Sequence, residues 1–158
     1  MYEFIYYRVK DAMTPSPISI RPHTVLADVE ALFEDHDFNS LPVVDDDHHL
    51  VGLLTKLDFL KAFIFTPQSV VPRYEEIMHH PAESVMTREP VTFDPDVPLT
   101  RVLEELVTTR HKSFPVVDGD RLVGVIARED VLRALRRAAA GERPDSSGSV
   151  RRSPKTGN

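Results

Sequence analysis

The chain has 158 residues, no cysteine and a formal net charge of −6 at pH 7. This length fits one compact domain, or two small halves that share a core. The lack of cysteine excludes disulfides, thiolate nucleophiles and thiolate metal sites. Residues 138–158 carry four basic and two acidic side chains, so the preceding body has a net charge near −8. Such a body does not offer the basic face that a nucleic-acid-binding surface needs.

The sequence also argues against membrane insertion and against a glycine-rich phosphate loop. No apolar run approaches the roughly 20 residues of a membrane span. The segment Met1–Arg8 lacks the charged start and apolar stretch of a signal peptide, so we expect a cytoplasmic protein with no membrane contact. Only Gly52, Gly119 and Gly124 precede residue 138, which is too few for a P-loop or dinucleotide fingerprint.

The chain contains an internal repeat. Met13–Ala62 aligns with Met86–Ala134 at an offset of 73, which falls to 72 after one extra residue in the loop 45–49. The best-matched blocks are Leu41–Asp45 with Phe114–Asp118, and Leu50–Gly52 with Leu122–Gly124. Two copies are too few for a solenoid. They suggest a pseudo-twofold molecule with two related sites in the cleft between its halves.

Each repeat has the same predicted order of elements, β-α-β-β-α, which gives a mixed α/β (α+β) fold class. Apolar and polar residues alternate between prolines at Ile18–Ile20 and Val91–Phe93, which predicts a short first strand. An apolar stripe at helical spacing predicts helices that include Leu26–Phe33 and Leu99–Val107. The remaining strands are Leu41–Val44 and Leu50–Leu54 in the first copy and Phe114–Val117 and Leu122–Ile126 in the second, and the closing helices start near Lys56 and Arg128.

The repeats define the domain organisation, with repeat 1 at residues 9–65, a connector at 66–84, repeat 2 at 85–137 and a tail at 138–158. Prolines interrupt the connector, but its apolar residues predict ordered structure with a helical turn or two at Tyr74–Met78. The tail beyond about Gly141 is rich in Gly, Ser, Pro and charge, so it cannot offset the entropy of ordering. We predict that this disordered tail can be deleted with a change in melting temperature of about a degree or two.

The most informative local motif is Thr55-x-x-Asp58, where a strand runs into a helix. One interpretation is a capping box, with Thr55 as the N-cap and Asp58 at the third helical position. The other is that Thr55 and the free N–H groups of the helix start hold a phosphate, while Asp58 accepts hydrogen bonds from a ribose. In the second copy Ala127 replaces the threonine and Asp130 is kept. Because Ala127 has no hydroxyl, capping should not be what the two acids share, and this favours a ligand role.

The doubled β-α-β-β-α unit opens with Met-Thr and carries the block Pro-Val-Val-Asp and the motif Gly-h-h-Thr-x-x-Asp, with h apolar. With these motifs it resembles the CBS-domain pair, or Bateman module, over about Val9 to Leu135. The resemblance implies two repeats packed through their sheets about a pseudo-twofold axis. It also implies clefts that bind AMP, ADP, ATP or S-adenosylmethionine, and a regulatory, energy-sensing module without catalytic activity that acts on a partner protein.

The resemblance also implies roles for individual residues. Thr55 would be the phosphate-side hydroxyl, and Asp58 and Asp130 would accept hydrogen bonds from the ribose of each site. The adenine would be lined by Ile18, Ser19, Ile20, Val91, Thr92 and Phe93, and its apolar wall would be Leu41, Pro42, Phe114 and Pro115. Ala127 departs from the pattern, and Arg128, Lys112 or His111 could compensate. We therefore predict that the cleft with Thr55 and Asp58 is the tighter one. For the apolar residues, core packing is the alternative interpretation.

Other side-chain clusters point to weaker functions. Adjacent histidines at His48-His49 and His79-His80 do not easily aim at one ion, so we predict no metal site. The run Arg110–Lys112 is either a solvated surface or faces a phosphate. The chain has no G-x-S-x-G and no H-E-x-x-H, so we predict that it is not an enzyme. The alternatives to a nucleotide-binding regulator are a ligand-free interaction or dimerisation scaffold and a small enzyme that uses the clefts.

The closing helix of repeat 1 predicts a homodimer. Seven of the nine residues in Leu57–Phe65 are apolar, whereas a helix on a monomer surface needs only one apolar stripe. The excess, with Phe59 and Phe63 prominent, should be covered by another chain. Coverage by the connector 66–84 is the alternative.

Overall fold

The computed structural model describes residues 2–68 and 71–145. Its strands are β1 (Thr14–Pro15), β2 (Ser40–Val44), β3 (Leu50–Thr55), β4 (Ser113–Asp118) and β5 (Arg121–Ala127). Its α-helices are α1 (Val9–Ala12), α2 (Leu26–Asp35), α3 (Lys56–Lys61), α4 (Tyr74–Ile77), α5 (Leu99–Thr109) and α6 (Arg128–Ala139), with 3-10 helices at Tyr2–Tyr6 and Ala82–Ser84. The strands form two sheets, one in the order β1-β5-β4 and one of β2 and β3.

The two hairpins confirm the predicted central strands of each repeat. β2 pairs with β3 and β4 pairs with β5, both antiparallel. The register shifts at the same place in both, between Val43 and Val44 and between Val116 and Val117. The helix that follows each hairpin starts at Lys56 and Arg128, as predicted. The internal repeat of the sequence is therefore a repeat of structure.

The predicted first strands are wrong in extent. Ile18–Ile20 and Val91–Phe93 each contract to one parallel bridge, from Ile20 to Val43 and from Phe93 to Val116. Prolines on both sides of these segments remove the backbone donors that a longer ladder would use. The strand that does form near the start of the chain is the two-residue β1, which lies earlier in the sequence.

The segment that opens each repeat pairs with the hairpin of the other repeat. Thr14 of β1 is the partner of Val125 in β5, and Thr87 bridges to Leu53 in β3. At these crossings a methionine lies directly on a glycine. A Cβ on Gly124 would meet Met13 Sδ at 2.6 Å, and one on Gly52 would meet Met86 Sδ at the same distance. The paired Met-Thr and Gly signals in the sequence therefore mark where the two halves exchange segments.

Each repeat has its own hydrophobic core, and each core includes the segment that precedes the other repeat. The core of repeat 2 takes in Phe4, Tyr7 and Val9 from the N-terminal segment. The core of repeat 1 takes in Ile77 and Ala82 from the connector. Backbone bonds such as Leu99 N–H to Tyr7 O and Leu26 N–H to His80 O hold these segments in equivalent places. The starts of the repeats in the sequence, at residues 9 and 85, therefore do not mark the limits of the two cores.

Helix α6 extends past residue 138, the predicted start of the tail. The helix continues to Ala139, because Ala138 is fully buried in the core of repeat 2. Beyond it, the Tyr7 hydroxyl donates to the Glu142 carbonyl at 2.9 Å, and the Arg143 guanidinium lies 4.5 Å from the Tyr6 ring centroid. The part of the tail prediction that concerns residues 146–158 lies outside the described residues.

The closing helix of repeat 1 is shorter than predicted. It ends at Lys61, where 3-10-type bonds such as Phe63 N–H to Leu60 O tighten the chain. Phe59 and Phe63 pack against the core of repeat 1, and Phe63 stacks on Tyr74 of the connector at 5.8 Å. The connector thus covers part of this surface, which is the alternative stated above, and coverage by another chain stays a prediction. The apolar residues that stay exposed are Leu57, Leu60, Ile64 and Phe65.

No helix in the described part of the chain is both long and apolar enough to cross a membrane.

Candidate functional site

The start of α3 forms a complete capping box. Thr55 N–H donates to Asp58 Oδ2 at 3.0 Å, and Asp58 N–H donates to Thr55 Oγ1 at 3.1 Å. Two of the free donors at the helix start are thereby satisfied. Asp58 is buried, with only 2% of its surface exposed. The capping interpretation of this motif is thus realised in the structure. The Thr55 hydroxyl still has its own proton to donate, since a hydroxyl both donates and accepts.

The start of α6 keeps half of the same box. Asp130 Oδ2 accepts the Ala127 N–H at 2.8 Å, and Asp130 is 5% exposed. This corrects the inference that capping cannot be what Asp58 and Asp130 share. The carboxylate-to-backbone half of a capping box needs no hydroxyl on the N-cap residue, so it survives the change to alanine. The retained acid is therefore explained by local structure in both copies.

The two acids differ in their other partners. Lys61 Nζ lies 3.1 Å from Asp58 Oδ1, and the Thr87 hydroxyl lies 3.2 Å from both Asp58 oxygens. Within the described part of the chain, the other side-chain partner of Asp130 is Arg133, whose Nη1 lies 3.3 Å from Asp130 Oδ1. Among residues 2–68 and 71–145, no hydrogen bond joins Thr14, the counterpart of Thr87, to Asp130. Sequence reasoning missed Thr87, although the repeated Met-Thr pair was the available signal. Asp58 is thus linked to the segment that opens repeat 2, and Asp130 has no such link.

Burial sets the acidity of the second acid. Desolvation raises the pKa of Asp130 above its ordinary value, and the Ala127 N–H and the Arg133 guanidinium oppose this rise. Burial outweighs these two donors. The charged form of Asp130 is therefore held at a cost in the folded protein.

The apolar candidates separate into buried and exposed groups. Five of them are buried: Ile20, Leu41, Pro42, Phe114 and Pro115. Phe93 is partly buried and packs against the core of repeat 2. Ile20 N–H donates to the Pro42 carbonyl at 2.9 Å, so this backbone group is already used. The exposed candidates are Ile18 and Val91, at 43% and 45%, and Ser19 and Thr92 beside them are half-buried. The structure therefore presents the start of each predicted adenine segment to solvent, while the rest packs in the cores.

Arg128 is held at the end of α5. Its Nε donates to the His111 carbonyl at 3.0 Å and its Nη2 donates to the Arg110 carbonyl at 2.6 Å. Arg110 closes α5 in the left-handed conformation, with φ of 60°. Two of the Arg128 donors are thus committed to a helix C-terminus, where a cation is favourable. Its guanidinium is less available as a replacement for the missing Thr hydroxyl than the sequence suggested.

A pair of equivalent serines lies on the pseudo-twofold axis. Ser40 Oγ and Ser113 Oγ are 3.4 Å apart, and residues related by a twofold axis can touch only beside it. Ser40 is the register partner of Thr55, and Ser113 is that of Ala127. The starts of α3 and α6 therefore lie on either side of this axis. At the other end of the hairpins, Leu50 N–H donates to the Asp120 carbonyl at 2.9 Å. This bond is a second contact between the two repeats.

The acidic turn of repeat 1 brings three possible ligand atoms together. One such atom each from Asp45, Asp47 and His49 lies within 4.8 Å of the others. Asp45 accepts the backbone N–H groups of His49 and Asp47 at 2.9 and 3.0 Å, and these bonds lower the pKa of Asp45 below its ordinary value. The cluster is mostly exposed and is explained as a hydrogen-bonded turn.

Comparison with known proteins identifies the repeats. The family profile of the CBS domain matches residues 9–64 and 82–137. A CBS domain-containing protein of Dictyostelium discoideum is 31% identical over 130 residues, which cover 80% of this chain and 90% of that protein. The similarity therefore extends over nearly the whole described chain.

Two enzymes share the same region. Inosine-5'-monophosphate dehydrogenase of Mycobacterium tuberculosis is 33% identical over 128 residues, which are 80% of this chain and 22% of the enzyme. L-aspartate semialdehyde sulfurtransferase of Methanocaldococcus jannaschii is 29% identical over 126 residues, 79% of this chain and 22% of the enzyme. The chain spans about a fifth of the length of these two relatives.

Solved structures give the same fold. The structure of CBSX2 in complex with AMP has a TM-score of 0.73 and 27% identity, over 84% of this chain and 98% of that one. The CBS domain pair of protein MJ0100, in complex with 5'-methylthioadenosine and S-adenosyl-L-methionine, has a TM-score of 0.66 and 27% identity, over 83% and 97%. With two matched segments and the structure of these pairs, the chain belongs to the CBS-domain family and forms one CBS-domain pair.

Proposed function

We propose that the protein is a regulatory module that binds an adenine nucleotide or S-adenosylmethionine between its two repeats. The observation that carries this proposal is the pair of helix starts beside the pseudo-twofold axis, each with a buried acid at its third position. A helix start offers backbone N–H groups to an anion, and a carboxylate accepts from a ribose diol. The similar CBS pairs solved with AMP and with S-adenosyl-L-methionine support this ligand class.

The first cleft would hold the ligand along β2. Thr55 lies opposite Ser40 at one end of this strand, and Ile20 lies beside Val43 near the other. Three residues of strand separate these ends by roughly 10 Å, the scale of a nucleoside monophosphate. The phosphate would lie at the Thr55 hydroxyl and the base would lie near the exposed Ile18. Leu41 and Phe114 are buried, and each would support the apolar wall of its cleft from the side of the hydrophobic core.

A ribose at Asp58 would have to displace contacts that the acid already makes. Both of its oxygens accept hydrogen bonds, from Thr55 N–H, Lys61 and Thr87. The bonds to the exposed Lys61 and Thr87 side chains are the ones that can exchange without breaking the cap. Ligand binding would therefore alter the link between Asp58 and the opening segment of repeat 2, which gives the module a means of response.

The second cleft is proposed to be weaker. It has Asp130 but no hydroxyl at Ala127, and two donors of Arg128 are used at the end of α5. A hydrogen bond to a charged phosphate contributes roughly 1.5–3 kcal/mol. Its absence would weaken this cleft by about tenfold to a hundredfold.

The regulatory effect of ligand binding would be transmitted through contacts with other protein chains. We propose a homodimer through the exposed apolar residues of repeat 1, which are Leu57, Leu60, Ile64 and Phe65. In this proposal the chain itself catalyses no reaction, because its similarity to the two enzymes is limited to about a fifth of each. A regulated partner protein would bind differently to the ligand-bound and the ligand-free dimer.

A thermal-shift panel with AMP, ADP, ATP, S-adenosylmethionine and NAD tests ligand binding. A true ligand at 100 times its dissociation constant should stabilise the folded state by about 2.7 kcal/mol. The matched control is Thr55→Ala, which should reduce the shift while leaving the fold intact. If none of the compounds raises the melting temperature, the ligand-free scaffold replaces the regulator as the function.

A further inference from the structure

The buried acid of the first cleft is covered in part by a side chain from the other repeat. Asp58 is 2% exposed, so a ligand reaches its carboxylate only if a covering group moves. In the described part of the chain, the exposed side chains that hydrogen-bond to this carboxylate are those of Lys61 and Thr87. Lys61 lies on α3 itself, whereas Thr87 belongs to the segment that opens repeat 2. Access to Asp58 therefore depends on both repeats.

The Thr87 hydroxyl occupies the position that a vicinal diol would need. It lies 3.2 Å from each of the two Asp58 oxygens, so it faces the carboxylate group as a whole and not one of its atoms. A ribose diol carries two adjacent hydroxyl donors, and one carboxylate offers two oxygens to accept them from the same direction. Thr87 thus makes the kind of contact with Asp58 that a ribose would make.

Thr87 can leave this position without loss of its backbone bonds. Its N–H donates to the Leu53 carbonyl at 2.8 Å, and its carbonyl accepts the Leu53 N–H at 2.9 Å. Neither bond involves the side chain, and Thr87 is exposed, so rotation about χ1 turns the hydroxyl into solvent. Met86 lies directly on Gly52 and keeps the segment in place. The contact between the Thr87 hydroxyl and Asp58 is therefore exchangeable.

Repeat 2 shares one of these two covering groups and lacks the other. Arg133 Nη1 lies 3.3 Å from Asp130 Oδ1, and it stands three positions after the acid, as Lys61 does in repeat 1. Thr14 holds the place equivalent to Thr87 and pairs with β5. No hydrogen bond joins Thr14 to Asp130 among the residues that the structure describes. The hydroxyl from the opposite repeat is thus a feature of the first cleft.

We propose that Thr87 is an internal competitor for the ribose of a ligand in the first cleft, an inference that rests on the ligand binding proposed above. The ligand displaces the hydroxyl from Asp58, and Thr87 thereby lowers the affinity of this cleft. Water replaces part of the lost bond because Thr87 is exposed, so the phosphate contact at Thr55 still makes this cleft the tighter one. Coupling is reciprocal, so an interaction that draws Thr87 away from Asp58 strengthens ligand binding.

Calorimetric titration with AMP and with 2',3'-dideoxy-AMP tests the competition, because the second compound lacks both ribose hydroxyls. Thr87→Ala removes the competing hydroxyl and leaves room for the ribose, so it should tighten AMP binding in the first cleft about three- to tenfold. It should leave the affinity for dideoxy-AMP unchanged. Thr87→Ser keeps the hydroxyl and should bind AMP as wild type does. Thr14→Ala is the matched control in the other repeat and should also bind as wild type does.

The two ligands separate competition from a general effect on the structure. A Thr87→Ala chain that binds AMP with wild-type affinity would overturn the inference while the ligand proposal stands. An equal change in affinity for both compounds would also overturn it, since a structural change does not depend on the diol.

Urea unfolding tests the contact in the absence of ligand. The combined loss of stability in Thr87→Ala with Asp58→Ala should be smaller than the sum of the separate losses, because both changes remove the same bond. Thr14→Ala with Asp130→Ala is the matched pair and should be additive. Additive losses at the first pair would show that the contact is absent in solution and would overturn the inference. A coupled first pair in a chain that binds AMP in no variant would instead contradict the ligand proposal, and the role of Thr87 as a competitor with it.

Discussion

The starts of α3 and α6 are two versions of one structure that differ by a hydroxyl and a cross-repeat bond. Both turn from a strand into a helix at a backbone N–H that donates to a buried aspartate. Only the first adds the Thr55 hydroxyl and the Thr87 contact to that acid. The comparison shows that a repeated acid is not by itself a sign of a ligand. The ligand hypothesis depends instead on what surrounds each acid, and this is where the two copies diverge.

Removing each acid should show the largest difference between the copies. Asp58→Ala removes a cap and the bonds to Lys61 and Thr87, so we expect a loss of about 2–3 kcal/mol in the free energy of unfolding. Asp130→Ala should cost about 1–2 kcal/mol, because fewer donors hold that acid and its burial is unfavourable. Urea unfolding of both variants measures this, and equal losses would contradict the ranking.

Adding a methyl group at the two glycine crossings should affect the copies alike. In Gly52→Ala and Gly124→Ala the new Cβ lies 2.6 Å from a methionine Sδ and within 3.0 Å of a threonine carbonyl. Such overpacking typically costs about 1–3 kcal/mol. Thermal unfolding should show similar losses for both. Shortening the methionine, as in Gly52→Ala with Met86→Ala, should not recover full stability, because the contact with the Thr87 carbonyl remains. A neutral Gly52→Ala would show that the crossing is looser than described.

Exchanging the N-cap residues should move one copy toward the other. Thr55→Ala should cost about 1 kcal/mol by removing the hydroxyl of the capping box. Ala127→Thr should add up to about the same amount, because Asp130 already occupies the third helical position. Thermal unfolding of the two single variants measures both effects. An Ala127→Thr variant that is less stable than wild type would show that the backbone there cannot use a hydroxyl.

The smallest expected effect is a pH dependence that comes from Asp130. Its pKa is raised in the folded state, so its contribution to stability is full below pH 3.8 and is lost as pH rises through the folded pKa. Asp130→Asn does not titrate at this position, and it should therefore gain stability relative to wild type between about pH 3.8 and neutrality. Unfolding across this range tests the sign. Asp96→Asn is the opposite control, because the hydrogen bond from Lys10 lowers the pKa of Asp96.

The comparison of the copies also shows where sequence reasoning succeeds. The hairpins and the starts of α3 and α6 follow from alternation and turn residues, which are local signals. The pairing of Met13–Thr14 and Met86–Thr87 with the hairpin of the other repeat depends on packing between distant segments, so the repeated Met-Thr pair marks the two positions but does not show which strand each one contacts. The aromatic cover of Phe63 by Tyr74 is non-local in the same way. The expectation that Asp130 has no capping role is wrong because the carboxylate half of the box does not need the hydroxyl.

The sequence defines the candidate site less sharply than the fold, for a physical reason. The residues that resemble ligand contacts, such as Leu41 and Phe114, are buried in the cores. From the sequence, an apolar residue whose side chain faces the ligand cannot be distinguished from one that packs behind the wall of the cleft. The exposed Ile18 and Val91 separate from them only in three dimensions.

Calorimetric titration of AMP into wild type, Asp58→Ala, Asp130→Ala and Ala127→Thr tests the central claim, which is that the two clefts bind the same ligand unequally. We expect wild type to show a tight site and a site weaker by about tenfold to a hundredfold. Asp58→Ala should lose the tight phase, Asp130→Ala should lose only the weak one, and Ala127→Thr should bring the two closer. Loss of the tight phase in Asp130→Ala with wild-type binding in Asp58→Ala would reverse the ranking of the clefts, and an absence of heat with every adenine ligand in the panel would contradict the claim.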